Sequence, residues 1–314
     1  MTHFKEYLRI ARIDHWIKQL FVLPGMAFAL FLVPQIDSIS QIILRLILVF
    51  FSTSAIASAN YVINEWLDAK FDKFHPVKKN RSVVSGNLKT SWIIFEYIVF
   101  ALVGFGLAIL SSGIGAVFYM EAWLFIMGII YNVRPVRTKE IPYLDVLSES
   151  INNAIRLLIG WFAVTTSYFP PVSIVLGYWM GGAFLMAMKR YAEYRMIGNK
   201  EQAALYRKSF KYYTSHTLLA SSFFYALLSV FFCGTFMIKY RIELILDIPL
   251  LCGLFCYYLI ISYKEDSSVQ KPEKLFREKG LMIYLLILII VTVVLLFVDI
   301  PVLSWLLGKD LIGT

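Results

Sequence analysis

The chain has 314 residues, of which 59% are hydrophobic and only 16% charged, with a mean hydropathy of +0.68. So little polar surface excludes an ordinary soluble domain of this length. The formal net charge of +9 is dispersed among apolar blocks instead of gathered on one soluble face, which argues against nucleic acid as a partner.

Residues 1–16 hold Lys5, Glu6, Arg9, Arg12 and Asp14, with no small-residue cleavage site after a short apolar core. They read as an interfacial N-terminal segment and not as a cleavable signal peptide. Apolar blocks then fall near 17–34, 41–66, 91–111, 115–133, 142–165, 172–190, 214–238, 243–263 and 280–300. These make about nine transmembrane helices, each block being long enough to cross roughly 30 Å of hydrocarbon. A backbone in lipid must satisfy its own hydrogen bonds, so the blocks are helical. The expected fold class is all-α: a polytopic membrane protein with a single domain over 1–314. Cys233, Cys252 and Cys256 lie inside apolar blocks without a CxxC pattern and read as small core residues.

The loops fix an orientation. The side carrying the N-terminus and the segments near 67–90, 134–141, 191–213 and 264–279 holds 25 of the 30 Lys and Arg. The other side keeps Arg45, Lys239, Arg241 and Lys309, and Arg156 lies within a span. The positive-inside rule puts the N-terminus and the basic loops in the cytoplasm, with the chain in the cytoplasmic membrane.

The second span ends in a polar constellation. Asn64, Asp68 and Asp72 recur at i, i+4 and i+8, on one helix face and about 6 Å apart per step. Glu65 flanks them, and Lys70, Lys73, Lys78, Lys79 and Arg81 follow. Clustered oxygen ligands suit Mg²⁺, which takes carboxylates together with phosphate oxygens. The metal set expected is Asn64, Glu65, Asp68 and Asp72, and the adjoining cations serve a diphosphate. His75 reads as a loop-positioning residue.

The connection after the fourth span carries Tyr131, Arg134, Arg137 and Lys139, and Pro142 suits the first turn of a helix. That helix bears Asp145, Glu149, Asn152, Asn153 and Arg156 along one stripe. Arg156 stands about 16 Å along the helix from Asp145, a costly depth for an unpaired cation, so it is expected to face a cavity and pair with an acid or a phosphate. The sixth span ends in Lys189, Arg190 and Glu193, and the run Tyr206-Arg207-Lys208-Ser209-Phe210-Lys211-Tyr212-Tyr213-Thr214 comes after a polar loop. Cations at this place favour bare phosphate groups. Gathered at helix ends, without an internal repeat, these clusters argue against a transporter.

The segment from Asn64 to Asp72 resembles the first signature of the UbiA superfamily of intramembrane prenyltransferases, Asn-Asp-x-x-Asp-x-x-x-Asp, with Glu65 standing for its first Asp. The Tyr131 to Lys139 connection is also similar. The resemblance implies a helical bundle around a central cavity. It further implies Mg²⁺ as cofactor, an isoprenoid lipid substrate and a diphosphate co-substrate. Where that superfamily carries a second Asp-rich motif, this chain has Lys189, Arg190 and Glu193. The Lys-Arg-Tyr-Ala-Glu stretch, the Lys208-Ser209 to Tyr213-Thr214 stretch, the Asp72 to Arg81 continuation, and Trp16 and Lys18 resemble the decaprenyl-phosphate phosphoribosyltransferase branch. That likeness implies a transferase of the cell envelope, moving 5-phosphoribose from phosphoribosyl pyrophosphate (PRPP) to a polyprenyl phosphate. Asp68, Asp72 and Asp145 are then the candidate catalytic residues, with Asp145 beside the developing ribosyl charge. Lys18, Lys73, Lys78, Arg81, Tyr131, Arg137, Lys139, Glu149, Arg156, Lys189, Arg190 and Glu193 are the candidate substrate contacts. Ordinary prenyl transfer from a prenyl diphosphate to an aromatic or lipid acceptor is the alternative, and self-association into a homo-oligomer is left open.

Overall fold

The computed structural model describes residues 2–34, 38–81, 83–84, 88–264, 267–270, 275 and 277–307. Among them every regular element is helical. The α-helices are α1 (Thr2–Ile10), α2 (Leu23–Leu32), α3 (Ile39–Asp72), α4 (Thr90–Ser112), α5 (Ala116–Asn132), α6 (Leu144–Val164), α7 (Val172–Ile197), α8 (Lys200–Tyr206), α9 (Ser215–Tyr240), α10 (Ile248–Ser262), α11 (Lys279–Phe297) and α12 (Pro301–Leu307). Short 3₁₀ segments join several of them, including Ile13–Val22, Thr138–Glu140, Lys208–Lys211 and Ile242–Asp247.

Seven helical stretches among the described residues are long and apolar enough to cross a membrane. They are Glu6–Leu32, α3, α4, α7, α9, Ile242–Ser262 and α11. The two remaining expected spans differ for identifiable reasons. Helix α5 has only 17 residues, and α6 carries the polar stripe from Asp145 to Arg156. The all-α membrane architecture therefore stands, while the count of about nine is not reproduced.

Local chemistry sets the helix ends. Pro24 and Pro249 occupy the first turns of α2 and α10, where the missing N–H costs nothing. Gly113, at φ +70, terminates α4 in a conformation that favours a residue without Cβ. Asn199 caps α8, its side chain accepting from Gln202 N at 2.9 Å. The fifth expected span begins at Leu144, two residues past Pro142, because Tyr143 holds a positive φ of 65° at its cap.

The chain forms two compact units. The first comprises residues 1–170 and 194–217, the second 171–193 and 218–314. In the first unit Val22, Ala29, Val49, Ile56, Leu124, Ile155, Ile159 and Trp161 form the core between α2, α3, α5 and α6. Helices α2 and α6 approach so closely that glycine is required on both. A Cβ on Gly25 would lie 1.8 Å from Leu157 O, and one on Gly160 1.9 Å from Val22 O. Small residues at a crossing are how helices in lipid gain van der Waals contact. Interhelical hydrogen bonds add to it: Ser52 Oγ donates to Gly104 O at 2.8 Å, Asn60 Nδ2 to Leu124 O at 2.9 Å, and Thr53 Oγ1 to the fully buried Glu121 at 2.5 Å.

In the second unit Ser229 Oγ donates to Gly177 O at 2.9 Å, and Tyr284 OH to Leu250 O at 2.8 Å. Phe184 packs on Phe255 with ring centroids 4.7 Å apart. Helix α11 exposes Ile283, Leu286, Ile287, Ile289, Ile290, Val293 and Phe297. Such an apolar surface is unfavourable in water and ordinary against lipid.

Candidate active site

The end of α3 carries the first constellation. Asp68 receives two cations from the α5–α6 connection: Arg137 Nη2 donates to Asp68 Oδ1 at 2.9 Å, and Lys139 Nζ lies 2.5 Å from the same oxygen. Lys139 also donates to Asn132 Oδ1 at 2.9 Å and reaches Asn64 Oδ1 at 3.4 Å. One turn further on, Asp72 Oδ2 accepts from Arg81 Nη1 at 2.7 Å. Glu65 Oε1 sits 3.6 Å from Arg81 and 3.8 Å from Arg12. Its position, about 60° round the helix from Asp68 but only about 20° from Asp72, explains why it shares Arg81 with Asp72 and not the cations of Asp68.

Arg137 is held hard. Its backbone has φ +32, its side chain is buried, Nη1 donates to Asn132 O at 2.7 Å, and Nε is 2.8 Å from Glu140 Oε1. A non-glycine residue in the left-handed region costs free energy and persists where its surroundings over-determine it, a pattern that clusters at ligand sites. Glu140 also binds Lys208 at 2.8 Å. Burial tends to raise the Glu140 carboxyl, but Lys208 and Arg137 outweigh it and hold it below the usual carboxylate range. Burial pushes the Lys139 ammonium down to about 8, against the opposing pull of Asp68. For Arg81, burial works against the charge, yet Glu65 and Asp72 prevail and raise it above its ordinary value.

These groups surround an open cleft lined by Asp68, Phe71, Asp72, Arg137, Lys139, Glu140, Tyr206, Arg207 and Lys208. Four of the nine are cations and three are acids. Lys78 hydrogen-bonds Tyr206, while His75 Nδ1 accepts from Val77 N and Lys78 N, both at 3.1 Å, which shapes the loop that presents Lys78.

The sequence candidates divide by place. Asp68, Asp72, Arg137 and Lys139 line the cleft. Asn64, Lys78 and Arg81 contact its lining residues without belonging to it, and Glu65 stands one step further out, on Arg81 and Arg12. Tyr131 OH donates to Glu149 Oε2 at 2.7 Å and accepts from Arg207 Nη1 at 3.3 Å. Asp145, expected beside the reacting sugar, is instead fully buried and outside the lining; it accepts from Ser209 Oγ at 3.0 Å and Tyr213 OH at 2.7 Å. Arg156 is buried and also outside the lining, donating to Gln19 Oε1 at 2.7 Å and Asn152 O at 3.0 Å. Lys18 pairs with His15 Nδ1 at 2.9 Å, and Lys73 is exposed over the Phe74 ring. Lys189, Arg190 and Glu193 lie on α7, in the second unit, where the 1% exposed Arg190 is 3.9 Å from Glu193.

Glu140, Tyr206, Arg207 and Lys208 are cleft residues that the candidate list lacks. The signal for three of them was the Tyr206-Arg207-Lys208 run, a charged triplet beside apolar blocks. Glu140 had no signal, because an acid among loop cations reads as surface pairing.

The donor chemistry near α3 suits a divalent cation. Among the described residues no three of His, Cys, Asp and Glu converge on one point. Mg²⁺ does not need that, since it takes one or two carboxylates plus phosphate oxygens and water. Asp68 and Asp72 offer the two carboxylates, and Arg137, Lys139 and Arg81 hold their charge in balance.

Fold and site together define an all-α integral membrane protein with a charged cleft at its helix ends. The chain belongs to the UbiA prenyltransferase family, which it matches over residues 20–286. It is 30% identical over 148 residues to a protoheme IX farnesyltransferase of Bacillus mycoides, covering 43% of this chain and 45% of that protein. It is 27% identical over 215 residues to the decaprenyl-phosphate phosphoribosyltransferase of Mycolicibacterium smegmatis, covering 67% of this chain and 63% of that one. The chain thus spans from about half to under two thirds of these curated relatives. In fold it is similar to a UbiA homolog from Archaeoglobus fulgidus solved with GPP and Mg²⁺, at a TM-score of 0.67 and 20% identity, over 93% of this chain and 100% of the other.

Proposed function

We propose that the protein transfers 5-phosphoribose from PRPP to a polyprenyl phosphate and releases diphosphate. The observation that carries this reading is the cleft, where Arg137, Lys139, Arg207 and Lys208 surround two α3 carboxylates. The likeness to the mycobacterial phosphoribosyltransferase supports the same choice. Mg²⁺, present in the archaeal homolog's structure, would be held by Asp68 and Asp72 with help from Asn64 and Glu65. When bound, it supplies charge neutralisation of the leaving diphosphate.

The chain's own residues do the rest. Arg137, Lys139 and Arg207 grip diphosphate oxygens, and Lys208 closes the outer rim. An oxygen of the lipid phosphate attacks C1 of the ribose as the C1–O bond to diphosphate breaks, with both electrons leaving on that oxygen. No covalent enzyme intermediate is needed, so no nucleophilic Ser or Cys is invoked. The active-site loops face the cytoplasm, from which the soluble phosphosugar comes.

The second reading is prenyl transfer from a prenyl diphosphate, favoured by the farnesyltransferase likeness and by the GPP of the archaeal homolog. The deciding experiment uses purified protein in detergent with Mg²⁺, a polyprenyl phosphate and labelled PRPP. Label in the lipid fraction with released diphosphate supports phosphoribosyl transfer. No labelled lipid, together with consumption of a prenyl diphosphate when an acceptor is added, replaces it with prenyl transfer.

A further inference from the structure

We infer that Asp145 is a positioning residue, which locks the 206–213 segment so that Arg207 is aimed at a diphosphate in the cleft; this rests on the cleft reading above. Asp145 sits in the first turn of α6 and is fully buried. Both of its oxygens face the 206–213 segment: Oδ1 accepts from Tyr213 OH at 2.7 Å, and Oδ2 accepts from Ser209 Oγ at 3.0 Å and lies 3.7 Å from Arg207 Nη1. Ser209 and Tyr213 are themselves buried. A second tie runs back to α6, since Tyr143 N donates to Tyr213 OH at 2.5 Å just before the helix starts, at a backbone with φ +65.

The segment so anchored presents Tyr206, Arg207 and Lys208 to the cleft. A buried carboxylate is stable only when its oxygens are hydrogen-bonded and its charge balanced. Here Ser209 and Tyr213 satisfy the first need, and Arg207 serves the second. That geometry explains a conflict between sequence and structure: the acid at 145 is on the polar stripe, yet it does not reach the cleft. It acts through Arg207 and touches no reacting atom.

The test measures the dissociation constant and stoichiometry for inorganic diphosphate with Mg²⁺ in detergent, a probe independent of which group is transferred. Arg207→Ala, Asp145→Asn and Tyr213→Phe should each weaken binding by about tenfold with unchanged stoichiometry. Asp145→Asn should add little on the Arg207→Ala background, because coupled residues are not additive. A merely structural role would lower the stoichiometry and leave the constant of the remaining sites unchanged, which overturns the inference. Full additivity of Asp145→Asn with Arg207→Ala also overturns it, as does unchanged binding in both Asp145→Asn and Tyr213→Phe. Wild-type protein that fails to bind diphosphate would overturn the cleft reading itself, and this inference with it.

Discussion

Asp68 and Asp72 are one helical turn apart, yet the fold surrounds them differently. Asp68 meets two cations from one connection, and Asp72 meets Arg81 from another. Either carboxylate is costly to neutralise if it holds a divalent ion. Asp68→Asn and Asp72→Asn should each cut turnover by about 100-fold or more. The labelled-transfer assay checks this, and wild-type turnover in both variants would remove them from metal binding. Chelation of divalent ions should abolish turnover, and Mg²⁺ should restore it; full activity in excess chelator would contradict a metal requirement.

At the scale of elements, the crossing of α2 and α6 is the tightest joint of the first unit. A methyl group at Gly160 would meet backbone, not a movable side chain. Gly160→Ala should therefore force the helices apart and cost about 1–3 kcal/mol, as overpacking does. Thermal unfolding in detergent should register a lowered midpoint, whereas Gly106→Ala on α4, where a Cβ meets nothing within 4 Å, should leave it unchanged. An equal midpoint for Gly160→Ala and wild type would mean that the crossing is looser than described. The same joint has a functional side, because α6 carries both the Asp145 anchor and the Glu149 partner of Tyr131.

Across the whole molecule, the asymmetry of loop charge predicts an orientation. Helix α4 has Lys89 at its start and Gly113 at its end. In a cysteine-free background, Lys79→Cys should react with an impermeant thiol reagent only from the cytoplasmic face, and Ser112→Cys only from the opposite one. The reverse pattern would invert the proposed topology. The membrane class, the helical fold and the acid ladder of α3 were all legible in the linear chain. Long apolar blocks permit no other backbone in lipid, and i, i+4 spacing defines a helix face without tertiary information. The polar stripe of α6 was legible in the same way, but not what its members touch. Only the tertiary structure brought Arg137 and Lys139 onto Asp68, put Arg207 and Lys208 into the same cleft, and turned Asp145 away from it. The reason is physical: local spacing governs which residues share a helix face, whereas the partner across a cleft depends on how connections far apart in sequence return to one another.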